Sequence, residues 1–491
     1  MKTTSFEQFV LNYKTEYLQP VSAEILGDVD TPVSVFLKAT KGSYRFLLES
    51  VEGGAQHGRY SIIGDSPVAV FKNKNGVSQL QNLVTGDTDH FSGDPFQFLK
   101  DILRKYVNTP AYHTPFINDG LFGYLSYDSI RHIERLPEMA TDDINLPDIH
   151  LFIPQKVIVF DNLYNKINII YFVIPTGDKE KEYRQAKKNI RDIIDQIQTQ
   201  HLSRNGHQVK PKTGRYESNL KKSEFKKIVS KTKEYIKKGD IFQGVLSQRL
   251  KVNTQIPSFD IYRALRVINP SPYMFYLELD GLQVLGSSPE TLVKLNNGKV
   301  EVKPIAGTRK RGANEKEDEL LIKDLLADPK ERAEHTMLVD LGRNDIGKIA
   351  KYGSVQVDDL MITEKYSHVI HIVSSVSGTL RNGMDSIDVF KACFPAGTVS
   401  GAPKVRAMEL IEELEPTRRS IYAGAAGYFS FDGSMDVCIA IRTIYVKDGS
   451  AYLQAGAGIV ADSIPEKEYE ETINKARGLL KAIEYAEGGL V

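Results

Sequence analysis

Four glutamates on two segments far apart in the chain have the type and spacing to hold a hard cation. In Asp328-Pro329-Lys330-Glu331 an N-cap aspartate, an N1 proline and an N3 acid begin a helix, which accounts for Glu331 as a capping-box residue. Glu334 has no such account. At about 3.6 residues per turn it shares a face with the apolar Met337, Leu338 and Leu341, and an inward acid must be paired, protonated or bound to a cation. A second helix begins near Ser463 and Pro465 with Glu466 in the capping position, and carries Glu468 and Glu471. These two are three residues apart, so about 5–6 Å apart on one side. Tyr469, Ile473, Ala476 and Leu480 form that helix's core stripe, which leaves Glu471 solvated in the ordinary case. Taken singly, each acid reads as a surface or capping residue. If the helices meet, the four make an oxygen-rich site suited to Mg²⁺, which takes one or two carboxylates plus water and a ligand's oxygens.

Other candidate groups lie in glycine-rich and strand settings. Gln454-Ala455-Gly456-Ala457-Gly458 ends a strand just before the second acidic helix, where small residues let backbone N–H groups approach an anion. Phe394 to Lys404, which includes Thr398, has a similar look with a terminal cation, but not the spacing of a Walker A loop. A plain tight turn serves equally well for both. His371 sits in a β-rich run, where a hydrogen-bonded structural histidine is the plain alternative. Arg442, basic among apolar neighbours, suits pairing with an acid or receiving a substrate carboxylate. Glu290 follows Ser288-Pro289 at a strand junction, a turn position in the ordinary case. The residues alone point to an enzyme-like chain with an anionic substrate and Mg²⁺.

The elements that must position these groups follow from periodicity. Val33 to Leu37, Tyr44 to Glu49, Ser61 to Ile63, Val68 to Lys72, Gly120 to Tyr127, Lys156 to Phe160 and Asn168 to Ile174 read as strands. Lys179 to Gln200 reads as a helix, and the polar tract His201 to Ser218 as a linker. Beyond it helices and strands alternate. Ser223 to Lys238 is expected as a helix with Ser223 as N-cap and Gly239 closing it. Leu282 to Ser287, Thr291 to Leu295, Val300 to Ile305, Ala425 to Phe431, Asp436 to Val446 and Ser450 to Gln454 are expected strands. Short glycine turns between neighbours favour antiparallel sheets with helices outside.

Composition narrows the class. The 491 residues carry 63 basic and 63 acidic side chains, so net charge supplies no argument for a nucleic acid or an acidic membrane as partner. Two isolated cysteines, Cys393 and Cys438, argue against a disulfide framework and a structural zinc site. The first ten residues lack an apolar signal core, and no apolar run approaches the roughly 18 residues of a membrane span. A reducing cytoplasm is expected.

The same segments resemble the chorismate-utilising enzyme family, specifically its anthranilate synthase component I branch. The blocks are Ile241 to Arg249, Gly286 to Glu290, Lys303 to Arg309, Glu331 to Asp345, Tyr366 to His371, Phe394 to Lys404, Tyr422 to Phe429 and Gln454 to Thr472. The likeness is dense from about Phe225 to Ile483 and looser over the first ~170 residues. It implies an α+β fold of two large packed antiparallel sheets with helices outside, a four-layer α/β/β/α arrangement. It also implies residues 1–210 as an N-terminal region with a regulatory pocket and 211–491 as the chorismate-binding catalytic domain.

The resemblance assigns roles. Glu334 and Glu471 would ligate Mg²⁺ with Glu331 and Glu468 in support, the metal holding the ring carboxylate of chorismate. Tyr422 and Arg442 would receive the enolpyruvyl carboxylate, assisted by the glycine pair Gly456 and Gly458; Thr308, Thr398 and Lys404 lie in matching pocket blocks. His371 matches a histidine linked to the elimination step, and Glu290 is the expected general acid for the departing hydroxyl. Two positions separate branches of the family. Relatives that add water carry a lysine base where this chain has Gln243, and ammonia, with its own lone pair, needs no such base. Aminodeoxychorismate synthases carry a nucleophilic lysine where this chain has Ala306, and alanine forms no covalent intermediate. Both favour anthranilate as product of a Mg²⁺-dependent lyase.

Leu47 to Ser50 and Asn269 to Phe275 resemble a tryptophan feedback pocket, which would involve Glu49, Ser50, Pro272, Tyr273 and Met274; a strand, a turn and a strand is the plain alternative. Neither Cys393, in Ala-Cys-Phe, nor Cys438, in Val-Cys-Ile, has the setting of a glutaminase elbow, so ammonia is expected from a separate glutamine amidotransferase subunit in a hetero-oligomer. The competing readings are aminodeoxychorismate synthase component I and a non-catalytic chorismate or tryptophan-binding regulator. The regulator would be expected to have lost Glu334, Glu471 or His371, and all three are present.

Overall fold

Side chains of Tyr44–Glu49 alternate between two cores, Phe46 entering one and Leu47 the other, and its antiparallel neighbour Tyr273–Leu279 does the same with Phe275 and Tyr276. A strand apolar on both faces must be covered on both sides, and this requirement sets the layers. The structure is a computed structural model and describes residues 2–50, 58–106, 119–202, 216–366 and 369–490.

Strand pairing is antiparallel along two long runs. The first passes from Lys166–Val173 through Ile149–Asp161, Tyr60–Lys74, Tyr44–Glu49, Tyr273–Leu279, Leu282–Ser288, Thr443–Lys447 and Ser450–Ile459 to Gln243–Asn253. The second passes from Leu121–Leu125 through Ala425–Phe429, Met435–Ile439, Thr291–Asn296 and Lys299–Val302 to Val369–Thr379. Ile149–Asp161 pairs with both runs, so the two expected sheets are halves of one continuous antiparallel system. They pack face to face: the rings of Phe46 and Phe122, one from each run, stack at 4.3 Å. Helices Pro32–Ala39, Lys179–Thr199, Ser258–Ile268 and Pro465–Glu487 cover the first run through Phe36, Ile194, Tyr262 and Leu479. Pro329–Gly347 and Ser386–Cys393 cover the second through Val339 and Phe390. No helix among the described residues is long and apolar enough to cross a membrane.

Both runs mix strands from before and after residue 210, so the two halves share their cores. The boundary itself falls within 203–215, outside the described residues.

Several local expectations are corrected. Val33 to Leu37 is helical, part of Pro32–Ala39: Thr31 caps the helix through Ser34 and proline occupies its first turn, which outweighs the β-branched composition. The helix expected from Ser223 begins at Lys222 with Lys221 as N-cap, while Gly239 closes it in the left-handed region as expected. Ser61 to Ile63 and Val68 to Lys72 are one strand, Tyr60–Lys74. Asp436 to Val446 is two strands, Met435–Ile439 and Thr443–Lys447, broken where Arg442 takes φ 51°. Ser450 to Gln454 continues to Ile459, so the glycine-rich stretch is strand rather than turn.

Candidate active site

Helix Pro329–Gly347 starts as expected, with the Asp328 carboxylate accepting from the amides of Lys330 and Glu331. Glu331 does not close a capping box. Its carboxylate accepts from the Arg309 guanidinium at 3.1 Å, a charge-assisted bond that outcompetes a backbone amide. Glu334, half-buried one turn on, has no hydrogen bond or ion pair among the described residues. Burial raises its pKa, the nearby carboxylates of Glu331 and Glu471 raise it further, and Lys330 and Lys475 oppose them. The two acidic helices therefore converge closely enough for their charges to interact.

Helix Pro465–Glu487 carries the second pair. Glu466 is drawn away to Lys222 and Lys226, so it is an ion-pair partner and not a cap. Glu468 is half-buried, its pKa raised by burial and by Glu471. Glu471 pairs with Lys475 at 2.7 Å. No group of three or more His, Cys, Asp or Glu side chains converges in ligand geometry among the described residues. A half-buried carboxylate without an ion pair among the described residues, within electrostatic reach of two others, fits a cation held by one or two carboxylates and completed by water and substrate. It does not fit an all-protein cage.

A groove of about 440 Å³ opens beside this helix, lined by Arg442, Lys467, Glu470, Glu471, Asn474 and Lys475. Arg442 stands at the strand break and donates to the Lys475 carbonyl at 3.1 Å. Lys475 donates to the Gly456 carbonyl at 3.1 Å, tying helix to strand. A β-carbon on Gly456 would stand 2.7 Å from the Tyr422 hydroxyl, and one on Gly458 2.6 Å from Gln243 Nε2. The glycines thus make room for the two polar side chains. Gln243 is buried, and its Oε1 has no hydrogen-bond partner among the described residues. Tyr422 is pushed up to about 12 by burial, with Arg419 the largest opposing charge and Arg442 also opposing.

Glu290 lines a second, smaller cavity. Burial pushes its carboxyl up to about 7, against the lowering effects of the Thr398 hydroxyl, Lys475 and Arg442. Thr398 lines a cavity of about 50 Å³ together with Glu290, Pro304, Leu338, Asp345 and Gly397. His371 faces Arg442 electrostatically, and its Nδ1 lies 3.2 Å from the Gly307 carbonyl and 3.0 Å from Thr308 Oγ1. A carbonyl only accepts, so Nδ1 is assigned the proton and Nε2 the lone pair. Burial holds the ring's pKa below its ordinary value, and it is neutral at pH 7.

The fold therefore gathers Glu334, Glu468, Glu471, Arg442, Tyr422, Gly456, Gly458, Gln243, Glu290, Thr398 and His371 with Thr308 around one region. The Lys404 ammonium is held by Asp345 at 2.7 Å, a residue that lines the same cavity as Glu290 and Thr398. Lys475 went unnoticed in the sequence. The available signal was its i,i+4 spacing from Glu471.

The segments expected to form an inhibitor pocket are adjacent strands, with Glu49 opposite Met274. Buried Glu49 accepts from the Tyr262 hydroxyl at 2.5 Å and from Arg266 at 3.2 Å. Tyr273 points to the opposite face, where its hydroxyl meets Thr291 and Asp436 at 2.9 Å. Successive strand residues alternate faces, which separates it from Met274. Ser50 is half-buried beside Glu49, and Pro272 is half-buried before the Tyr273 strand.

A family model described as chorismate binding enzyme matches residues 45–481. Anthranilate synthase component 1 of Acetivibrio thermocellus is 50% identical over 475 residues, 95% of each chain. Its counterpart from Aquifex aeolicus is 49% identical, again over 95% of each. The crystal structure of anthranilate synthase component I from Streptococcus pneumoniae superposes with a TM-score of 0.76 at 38% identity, covering 93% of this chain and 99% of that one. On this convergence of sequence, fold and site, the chain belongs to the chorismate binding enzyme family, in its anthranilate synthase component 1 branch.

Proposed function

We propose that this chain converts chorismate and ammonia to anthranilate, pyruvate and water in a Mg²⁺-dependent reaction. A separate glutamine amidotransferase subunit supplies the ammonia in a cytoplasmic hetero-oligomer, and tryptophan inhibits. The observation that supports the reading most is the half-buried Glu334, without an ion pair among the described residues and within electrostatic reach of Glu471 on a remote helix, with Arg442, Tyr422 and Glu290 coupled to the same region. Glu334 and Glu471 would hold the Mg²⁺, which when bound supplies a Lewis acid for the ring carboxylate.

Arg442 and Tyr422 offer a cation and a hydroxyl to the enolpyruvyl carboxylate. The free Gln243 Oε1 is an acceptor for an ammonia N–H, and a neutral amide leaves the ammonia lone pair available for attack at ring carbon 2. Glu290, protonated up to about pH 7, gives its proton to the hydroxyl leaving carbon 4 as water. The proton that the new amine sheds after the attack restores Glu290. His371 Nε2 then takes the carbon-2 proton as the bond from ring to enolpyruvyl oxygen breaks, which makes the ring aromatic, and that proton passes to the methylene carbon of the departing enolate to give pyruvate.

The test combines purified chain, chorismate, Mg²⁺ and ammonium, followed by fluorescence and product identification. Anthranilate and pyruvate in equal amounts are expected. A 4-amino-4-deoxychorismate product, or none at all, overturns the reading.

A further inference from the structure

Arg419 is 1% exposed, in a residue type almost never fully buried without partners. Its Nε and Nη2 donate to both oxygens of Glu415 at 2.9 and 2.6 Å. Two further donors go to backbone: Nη1 to the Val399 carbonyl at 2.6 Å and Nη2 to the Val245 carbonyl at 2.7 Å. Glu415 in turn accepts from the amide and hydroxyl of Ser247 at 2.8 and 2.9 Å. The guanidinium carbon lies 5.5 Å from the Tyr422 ring and 4.9 Å from that of Tyr127.

Each tied segment carries a pocket group. Val399 follows Thr398. Val245 lies two residues beyond Gln243 and opposite Gly458, and Ser247 lies opposite Gly456. Tyr422 is three residues beyond Arg419. Tyr127 and Asp128 come from the N-terminal half, and the Asp128 carboxylate accepts from the Ser420 amide at 2.8 Å.

A buried ion pair is a weak source of stability compared with an apolar cluster of the same volume. What it provides is a fixed planar fork that specifies direction at several acceptors at once. We propose that Arg419, clamped by Glu415 and Tyr127, is a positioning residue: it fixes the Thr398 loop, the Gln243 strand and the Tyr422 ring relative to one another and so sets the pocket's affinity for chorismate. It touches no reacting atom. The inference rests on the pocket assignment above.

The experiment compares the full chain with Arg419→Lys, which keeps the charge and loses the fork, and Tyr127→Leu, which removes one ring from the guanidinium. Ile194→Ala, in the separate helix–sheet core, serves as a destabilised control. Steady-state kinetics with chorismate and ammonium are read beside hydrogen–deuterium exchange. Arg419→Lys is expected to raise the chorismate KM at least tenfold with kcat within about fivefold, and Tyr127→Leu to raise KM three- to tenfold. In both, exchange should rise in 241–247, 396–400 and 419–424 and stay unchanged in 179–199. Ile194→Ala should lower the melting temperature with KM unchanged. If Arg419→Lys does not fold, Tyr127→Leu decides. A KM within twofold of the parent, or exchange rising evenly along the chain, overturns the inference. A parent without turnover refutes the functional reading, while the exchange pattern still decides this one.

Discussion

Lys475 donates to Glu471 at 2.7 Å, one helical turn back, and to the Gly456 carbonyl at 3.1 Å, so a single ammonium bridges the acidic helix and the glycine-rich strand. The pair is partly exposed, with side-chain exposures of 39% and 46%, so it contributes only about 0–1 kcal/mol. A divalent ion with substrate oxygens can displace so weak a tie.

The proposed function makes turnover depend on Mg²⁺. Chelation should abolish turnover and added Mg²⁺ restore it. Glu471→Gln and Glu334→Gln should each raise the half-saturating Mg²⁺ at least tenfold while shifting stability by less than about 1 kcal/mol, since neither side chain sits in a core. An unaltered Mg²⁺ profile in both variants removes these residues from the metal site.

Glu290 is expected to make both activity and stability depend on pH. Its folded pKa is about 7, against an ordinary 4.5, because burial disfavours the charged form. Between these values the unfolded chain has lost the proton that the folded chain keeps. Stability therefore falls as pH rises from 4.5 to 7, by roughly 3 kcal/mol in all. Glu290→Gln should flatten denaturation midpoints across that window. It should also depress ammonia-dependent turnover at least a hundredfold, whereas in the parent kcat should fall above about pH 7. Near-normal turnover in Glu290→Gln discards the general-acid role.

The two glycines of the Ser450–Ile459 strand should fail differently. Gly458→Ala meets the flexible end of Gln243 at 2.6 Å, so the chain should fold while ammonia-dependent kcat/KM drops tenfold or more. Gly456→Ala meets the Leu246 carbonyl at 2.9 Å as well as the Tyr422 hydroxyl, and backbone cannot step aside. It should destabilise by about 1–3 kcal/mol in urea titrations. Equal behaviour of the two variants contradicts this account of the pocket wall.

Feedback should depend on the strand edge near Glu49. Ser50→Phe is expected to raise the tryptophan concentration for half-inhibition at least tenfold, leaving uninhibited turnover within threefold. Glu49→Gln weakens the anchor for Arg266 and Tyr262 and should do the same. Inhibition unchanged in Ser50→Phe excludes this pocket.

Local sequence determined much here because local physics did. The Asp328-Pro329 start, the Gly239 stop and most antiparallel strands follow from capping chemistry, φ preferences and period-2 patterning within a few residues. The types of Glu334, Glu471, His371 and Tyr422 were legible in family blocks, with Glu334 also marked by its apolar face and Arg442 by its apolar neighbours. Where short-range signals conflicted, packing decided. Val33 to Leu37 has strand composition, yet its Thr31 cap and the burial of Val35, Phe36 and Ala39 make it a helix.

Long-range placement was beyond any window of sequence. Glu331 turns to Arg309 and Lys404 to Asp345, because each charge takes the partner that the assembled chain brings nearest. Tyr273 and Met274 part to opposite faces once the strand's register is set by Tyr44–Glu49, more than two hundred residues earlier. Residue type and spacing fixed which groups could act on an anionic substrate. That the charges of two remote acidic helices act on each other, and that a guanidinium is buried beside Tyr422, depended on how the doubled sheet closes, because electrostatic interaction requires proximity that only tertiary folding supplies.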